Sequence, residues 1–191
     1  MTTDKKKSII DKYNASSQSY DARYNIIQRE KFEFVLNQFN FSKKLVLDAG
    51  CGTGLLYDFI SINKSKQRAQ FLSLDISWGM LIELKNKQRL VKKKVFILPI
   101  LSDIEHMPIR NNIFDAIVSF TSFQNLSKIK KGFLEVVRVS KPRAEIILSI
   151  LKKDKRINLF ISFIKPFFSE FRKLNNKNLE DIIIYGILLK D

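Results

Sequence analysis

Residues 45–54 read Leu45-Val46-Leu47-Asp48-Ala49-Gly50-Cys51-Gly52-Thr53-Gly54, and the fold turns on them. Leu45-Val46-Leu47 is a short apolar run of the kind that forms a buried strand. Asp48 ends it, three glycines alternate through a tight turn, and Leu55-Leu56-Tyr57-Asp58-Phe59-Ile60 opens a helical pattern. A strand, a glycine turn and a helix bring bare backbone amides to one point at the strand's carboxyl end. Open α/β sheets bind nucleotide-like ligands there. A Cβ at these positions would hold a ligand off the backbone, and glycine takes positive φ without strain. A glycine triplet alone also fits a plain strand–helix turn, so the rest of the chain decides.

The dinucleotide fingerprint G-x-G-x-x-G needs its third glycine at position 55, where Leu55 stands, so an NAD-binding oxidoreductase is disfavoured. An acid two residues before the first glycine, followed by strict alternation, resembles motif I of the class I S-adenosylmethionine (SAM) dependent methyltransferases. Further motifs extend the resemblance. Phe71-Leu72-Ser73-Leu74 ends at Asp75, 21 residues after Gly54, where an acid at a strand tip accepts hydrogen bonds from ribose hydroxyls. Val95 to Pro108 resembles the family's third strand and its D-x-x-x-(L/M)-P segment, with Asp103 as the acid. Asn112-Ile113-Phe114-Asp115 and the apolar run after it look like the fourth strand and its lead-in. Glu135 to Pro142 matches the E-x-x-R-V-x-K-P that precedes the fifth strand. The resemblance covers roughly residues 13–191 and is nearest the broad ubiquinone-biosynthesis-like or type 11 group, which is defined by fold and cofactor and not by substrate.

The resemblance implies an α/β fold: a Rossmann-like, seven-stranded, mostly parallel sheet with helices on both faces, strand seven antiparallel, and an N-terminal helical lid. One domain of 191 residues is expected, with a lid over 1–42, a cofactor-binding core over 43–151, and a C-terminal helix and strand hairpin over 152–191. Apolar spacing predicts helices over 5–14, 20–39, 54–63, 78–90 and 127–138. Strands are expected over 44–49, 70–75, 94–100, 114–120 and 144–151, and strand–helix alternation implies right-handed crossovers. Ile157, Phe160, Ile161, Ile164 and Phe168 recur at helical spacing and are expected to pack on the sheet. Phe163, Phe167 and Phe171 point elsewhere, and an exposed aromatic surface is the alternative. Asn175 to Asn178 would turn the final hairpin.

One cysteine, Cys51, excludes an internal disulfide, and no apolar segment follows Lys5-Lys6-Lys7 as in a signal peptide. No stretch reaches the roughly 18 apolar residues of a membrane span. A cytoplasmic protein is the expectation. The net charge of +15 raises nucleic acid as a partner. Against that, 25 Lys outnumber 9 Arg, and base and phosphate recognition favours Arg. Lys43, Lys44, Lys64, Lys66, Arg68, Lys92, Lys93 and Lys94 precede strands and belong at the end away from the ligand. Lys128, Lys130, Lys131, Lys152, Lys153, Lys155, Arg156 and Lys177 belong nearer to it.

By resemblance, Asp48, Gly50, Cys51 and Gly52 would line the methionine part of SAM, and Asp75 would take its ribose. Ile76 and Met80 would flank adenine, with Asp103 and Ile104 on its edge. Phe120 and Thr121 would lie near the methyl group, and Tyr20 and Tyr24 resemble the family's lid tyrosines. No metal ligand set is expected. Many relatives carry a His pair after strand four, where this chain has Phe123-Gln124-Asn125. The usual candidate base is therefore missing, and Gln124 and Asn125 offer neutral hydrogen bonds. His106 is expected to be structural. Lys141-Pro142-Arg143-Ala144 replaces the usual Lys-Pro-Gly-Gly, so that turn is made without glycine. The leading expectation is methyl transfer from SAM to a small molecule. The alternatives are an RNA or protein acceptor, with or without a partner subunit, and a non-catalytic SAM-binding scaffold.

Overall fold

The computed structural model describes residues 2–37, 39–63, 69–90 and 95–190. Lys64, Lys66, Arg68, Lys92, Lys93 and Lys94, expected at the far end of the sheet, lie outside these residues. Two N-terminal helices, α1 (Thr2–Ser16) and α2 (Tyr20–Leu36), lead into alternating strands and helices. These are β1 (Leu45–Ala49), α3 (Leu55–Asn63), β2 (Ala69–Asp75), α4 (Trp78–Leu90), β3 (Val95–Leu101), β4 (Phe114–Phe120), α5 (Ile129–Val139) and β5 (Ser140–Leu151). The chain ends with α6 (Ile157–Ile164), β6 (Phe168–Leu174) and β7 (Asp181–Leu188).

The seven strands form one sheet in the order β3-β2-β1-β4-β5-β7-β6. β1 to β5 run parallel, and β7 is antiparallel to both β5 and β6. The order reverses between β1 and β4, which opens a crevice at their carboxyl ends.

Strand alternation builds two cores, one on each face of the sheet. Leu47, Ile117, Ile146, Leu148 and Ile184 face α5 and α6, where Phe133, Val136 and Phe160 meet them. Val46, Phe71, Val118, Ile147 and Ile183 face α2, α3 and α4, against Phe32, Leu56, Phe59 and Leu84. The second half of α2 is thus part of the wall of the fold as well as a lid. Ile157, Phe160, Ile164 and Phe168 are buried as expected. Phe163, Phe167 and Phe171 do not point elsewhere: they are half-buried, Phe163 and Phe167 at 6.4 and 5.4 Å from Phe133 and Phe171 at 5.6 Å from Phe168. Among the described residues, no helix is long and apolar enough to cross a membrane.

Two local features stand out. No helix joins β3 to β4, so one face of the edge strand is bare and leaves Phe96 63% and Leu98 52% exposed. β5 begins at Ser140, four residues before the apolar run, because Ser140 pairs with Phe114 across an irregularity in the β4–β5 ladder. Within it Arg143 takes φ 60°, the conformation the missing glycine would have supplied. A left-handed L-residue costs roughly 1–2 kcal/mol, and glycine returns part of that gain to the unfolded chain. Arg143→Gly is therefore expected to stabilise the fold by about 0.5–1 kcal/mol, raising Tm by roughly 2 °C in a thermal melt. An unchanged or lower Tm would mean that the backbone at 143 carries no strain.

Candidate active site

The carboxyl ends of four neighbouring strands surround one cavity, and α1 and α2 close it from above. Gly50, Gly52 and Gly54 all have positive φ, at 83°, 54° and 83°. A Cβ on Gly50 would overlap the Ser122 side chain, whereas nothing lies within 4 Å of the Cβ position on Gly52. Gly52 thus presents bare backbone to open space in the cavity wall. The loop is tied to β2, since Gly50 and Cys51 N–H donate to Leu74 O at 2.7 and 3.0 Å.

Asp75 is held from two sides. Gly52 N–H donates to Oδ2 at 2.8 Å and Ser77 N–H to Oδ1 at 2.9 Å. Burial pushes its carboxyl up, and these N–H groups oppose the shift without cancelling it. Asp48 is buried beside it and accepts the Tyr57 hydroxyl at 2.8 Å. Burial pushes Asp48 up to about 7, against the Tyr57 bond and helped by the charge of Asp75. Cys51 lines the same wall, and burial pushes its thiol up, so it is a packing residue.

Asp103 follows β3 on a segment clamped by the Glu135–Arg138 pair. Met107 N–H donates to Glu135 Oε2 at 2.7 Å, and Arg138 donates to Met107 O and Ile109 O at 2.9 and 2.7 Å. That is the physical use of the E-x-x-R motif. The Lys6 ammonium, from α1, lies 2.5 Å from Asp103 Oδ2 and 2.9 Å from Glu105 Oε2. Burial pushes Asp103 up, but Lys6 and the Glu105 N–H outweigh it and leave the carboxyl below its usual range. Asp103, Glu105 and His106 bring ligand-type atoms within 4.8 Å of one another, with Lys6 bonded to the two acids. His106 itself is exposed against Lys131 and does not line the cavity.

The structure brings Asp48, Gly50, Cys51, Gly52, Asp75, Ile76, Met80, Asp103, Ile104, Phe120, Thr121, Tyr20 and Asn125 together around the cavity. Two expected residues are not in its lining. Tyr24 stacks behind Tyr20 with ring centroids 4.6 Å apart, and Gln124 turns its amide back onto Thr121 O. Sequence reasoning missed Lys6, Ile9, Tyr13, Gln28 and Phe32, which α1 and α2 supply. It also missed the support beneath Thr121. That residue holds φ 55°, and its Oγ1 accepts from Lys31 Nζ at 2.8 Å and donates to Asp181 Oδ2 at 2.9 Å. Lys31 and Asp181 are 1% and 0% exposed and pair at 2.9 Å. An acid opening the apolar run Ile182-Ile183-Ile184 was the available signal, because a carboxylate buried there needs a partner.

A ligand such as SAM suits this cavity on two observations: the open space over Gly52, and two acids at the tips of adjacent strands, Asp48 buried and Asp75 half-buried. The sheet order and the lid are those of the class I SAM-dependent methyltransferases. The model of the family described as "Methyltransferase domain" matches residues 47–148, and the chain belongs to that family. Two malonyl-[acyl-carrier protein] O-methyltransferases are similar to it. The one from Methylovorus sp. (strain MP688) is 30% identical, over 74% of this chain and 49% of that protein. The one from Buchnera aphidicola subsp. Baizongia pistaciae is 32% identical, over 76% of this chain and 55% of that protein. The chain thus spans about half the length of these relatives. Among solved structures, magnesium protoporphyrin IX methyltransferase from Synechocystis PCC 6803 with bound SAM shares the fold, with a TM-score of 0.73 at 16% identity, covering 96% of this chain and 97% of that one. The cofactor is SAM.

Proposed function

We propose that this methyltransferase acts on a carboxylate oxygen of a small acyl acceptor. The observation that carries the reading is the pair of phenols at the acceptor end. Tyr13 and Tyr20 line the cavity with ring centroids 6.3 Å apart. Burial pushes both up, so both stay protonated and donate. Asn125 Nδ2 donates to Tyr13 Oη at 2.9 Å, which leaves the Tyr13 proton free for a ligand. Donors without a base suit an acceptor that is already anionic. A carboxylic acid ionises near pH 4 and needs no proton removed before it attacks. The names of the two relatives point to the same group on their own acceptors.

SAM supplies an electrophilic methyl group on a sulfonium. The chain's part is to hold the attacking oxygen in line with it and to exclude water. In this reading Asp48 faces the cofactor's ammonium through the glycine loop, Asp75 the ribose hydroxyls, and Asp103 the adenine edge. Ile76, Met80 and Ile104 flank the base. Phe120 and Thr121 bound the transfer point, and Tyr20 with Asn125 orients the acceptor.

Labelled methyl from SAM is expected to enter a malonyl group carried on a small thiol and to be released as methanol by mild alkali. Alkali-stable label, or no transfer to any carboxylate offered, would overturn the acceptor assignment. A second expectation concerns pH. An ammonium placed beside Asp48 favours its ionised form, so binding of S-adenosylhomocysteine releases a proton below about pH 7, where the free carboxyl is protonated. Affinity is expected to rise up to about tenfold per pH unit as the pH rises toward 7, then to level off. Asp48→Asn removes its share of that slope, as read by calorimetry in buffers of different ionisation enthalpy. An equal slope in the variant would place the ammonium elsewhere.

A further inference from the structure

Thr121, the first residue after β4, lines the cavity with its backbone in the left-handed region, at φ 55°. A branched Cβ makes that conformation an outlier, and such residues persist only where their surroundings over-determine them. Every polar atom of Thr121 is held. Its N–H is shared between Ser149 O and Ser149 Oγ, at 3.0 and 3.1 Å, and its carbonyl accepts from the Gln124 amide. Its Oγ1 donates to Asp181 Oδ2 at 2.9 Å and accepts from Lys31 Nζ at 2.8 Å and from Gln28 Nε2 at 3.3 Å. A hydroxyl has one proton and two lone pairs, so nothing of this one is left for a ligand. The holders come from α2, β5, β7 and the turn after β4, and only Lys31 and Asp181 among them carry charge. The Asp181 carboxylate can only accept and the Lys31 ammonium can only donate, so together they fix which way the hydroxyl points.

We propose that Lys31 and Asp181 are positioning residues for methyl transfer, acting through Thr121. The proposal rests on the reading above that Phe120 and Thr121 bound the transfer point. The turn at 121 leads directly into Ser122, Asn125 and Leu126, all three in the cavity lining, so the backbone angle at 121 sets where that wall stands. Transfer needs the attacking atom in line with the methyl group, and a misplacement of about 1 Å costs roughly 100-fold in rate. Stability alone does not account for two charges at this depth. Apolar residues of similar volume are often as stabilising as a buried ion pair, or more so. The pair instead supplies direction, a donor on one side of the Thr121 hydroxyl and an acceptor on the other, and that holds a backbone angle threonine would otherwise leave.

The test uses Lys31→Met/Asp181→Asn, which removes both charges and leaves no lone one buried. Its crystal structure with S-adenosylhomocysteine is expected to show Thr121 relaxed to negative φ. With the malonyl group on a small thiol as acceptor, kcat is expected to fall about 10- to 100-fold, while S-adenosylhomocysteine affinity stays within about twofold. Adding Thr121→Gly should return at least about threefold of the lost kcat, because glycine takes φ 55° without support. A Thr121 left near 55° in the double variant, or a kcat within tenfold of wild type, would overturn the proposal. An equal loss in the triple variant would also overturn it, since the charges would then act on the reaction directly. Should the double variant not fold, Thr121→Val asks the same question with the ion pair intact: the same relaxation and fall are expected, and an unchanged kcat overturns the proposal. No transfer by the wild type would overturn the carboxylate reading separately. The angle at 121 then decides positioning alone, a negative φ upholding it and a retained 55° overturning it.

Discussion

Asp75→Ala is expected to weaken S-adenosylhomocysteine binding by at least about 100-fold, close to 2.7 kcal/mol. Two losses combine. The carboxylate proposed to take the ribose hydroxyls disappears, and hydrogen bonds to a charged acceptor contribute roughly 1.5–3 kcal/mol. The N–H groups of Gly52 and Ser77, now held at 2.8 and 2.9 Å, also lose their partner, so the glycine loop is no longer fixed against β2. Calorimetric titration of the wild type and the variant reads the difference directly, and an unchanged melting temperature without ligand separates lost contact from lost fold. A change below about fivefold would show that Asp75 organises the loop without touching the cofactor.

The second large effect lies under the acceptor wall. Lys31→Met leaves Asp181 as an unpaired carboxylate at 0% exposure, with only the Thr121 and Ser149 hydroxyls donating to it. Breaking one side of a buried pair costs about 3–5 kcal/mol, and the melting temperature of a chain this size should fall by roughly 10 °C. The double variant Lys31→Met/Asp181→Asn removes both charges and is expected to recover most of that loss. A drop of under about 2 °C in the single variant would mean that water reaches Asp181 and the pair is not isolated.

Both effects bear on how much of the molecule was legible from the chain. The residues expected at the cofactor could be read into the cavity lining because they stand at fixed offsets from strand ends. Asp48 and Asp75 lie at the ends of β1 and β2, and Gly52 and Asp103 lie in the loops just past β1 and β3, so reading the strands placed them. The strand over 114–120 was read with its bounds, since its residues are mostly apolar and the Asn111-Asn112 pair marks its start. The opposite wall was readable only in part: Tyr20 and Asn125 line the cavity as expected, and the rest was missed. Lys6, Tyr13 and Gln28 sit on helices packed across strand tips, and helical spacing says nothing about which side chain hangs over a cavity. The Lys31–Asp181 pair joins residues far apart in sequence, and only the closed sheet brings them together. Tyr24 and Gln124 were chosen by position in a motif, and local packing turned both aside. Glycine-free turning at Arg143 was legible, but its left-handed backbone required coordinates.

The Lys6 ammonium on Asp103 has a consequence for turnover. With Asp103 read as the adenine contact, the chain carries a tethered competitor for its own cofactor. Each time spent cofactor leaves, Lys6 is at hand to reoccupy the vacated oxygen, so exchange proceeds as partner replacement and no bare carboxylate has to form. On that reading, Lys6 would favour product release at the expense of ground-state affinity.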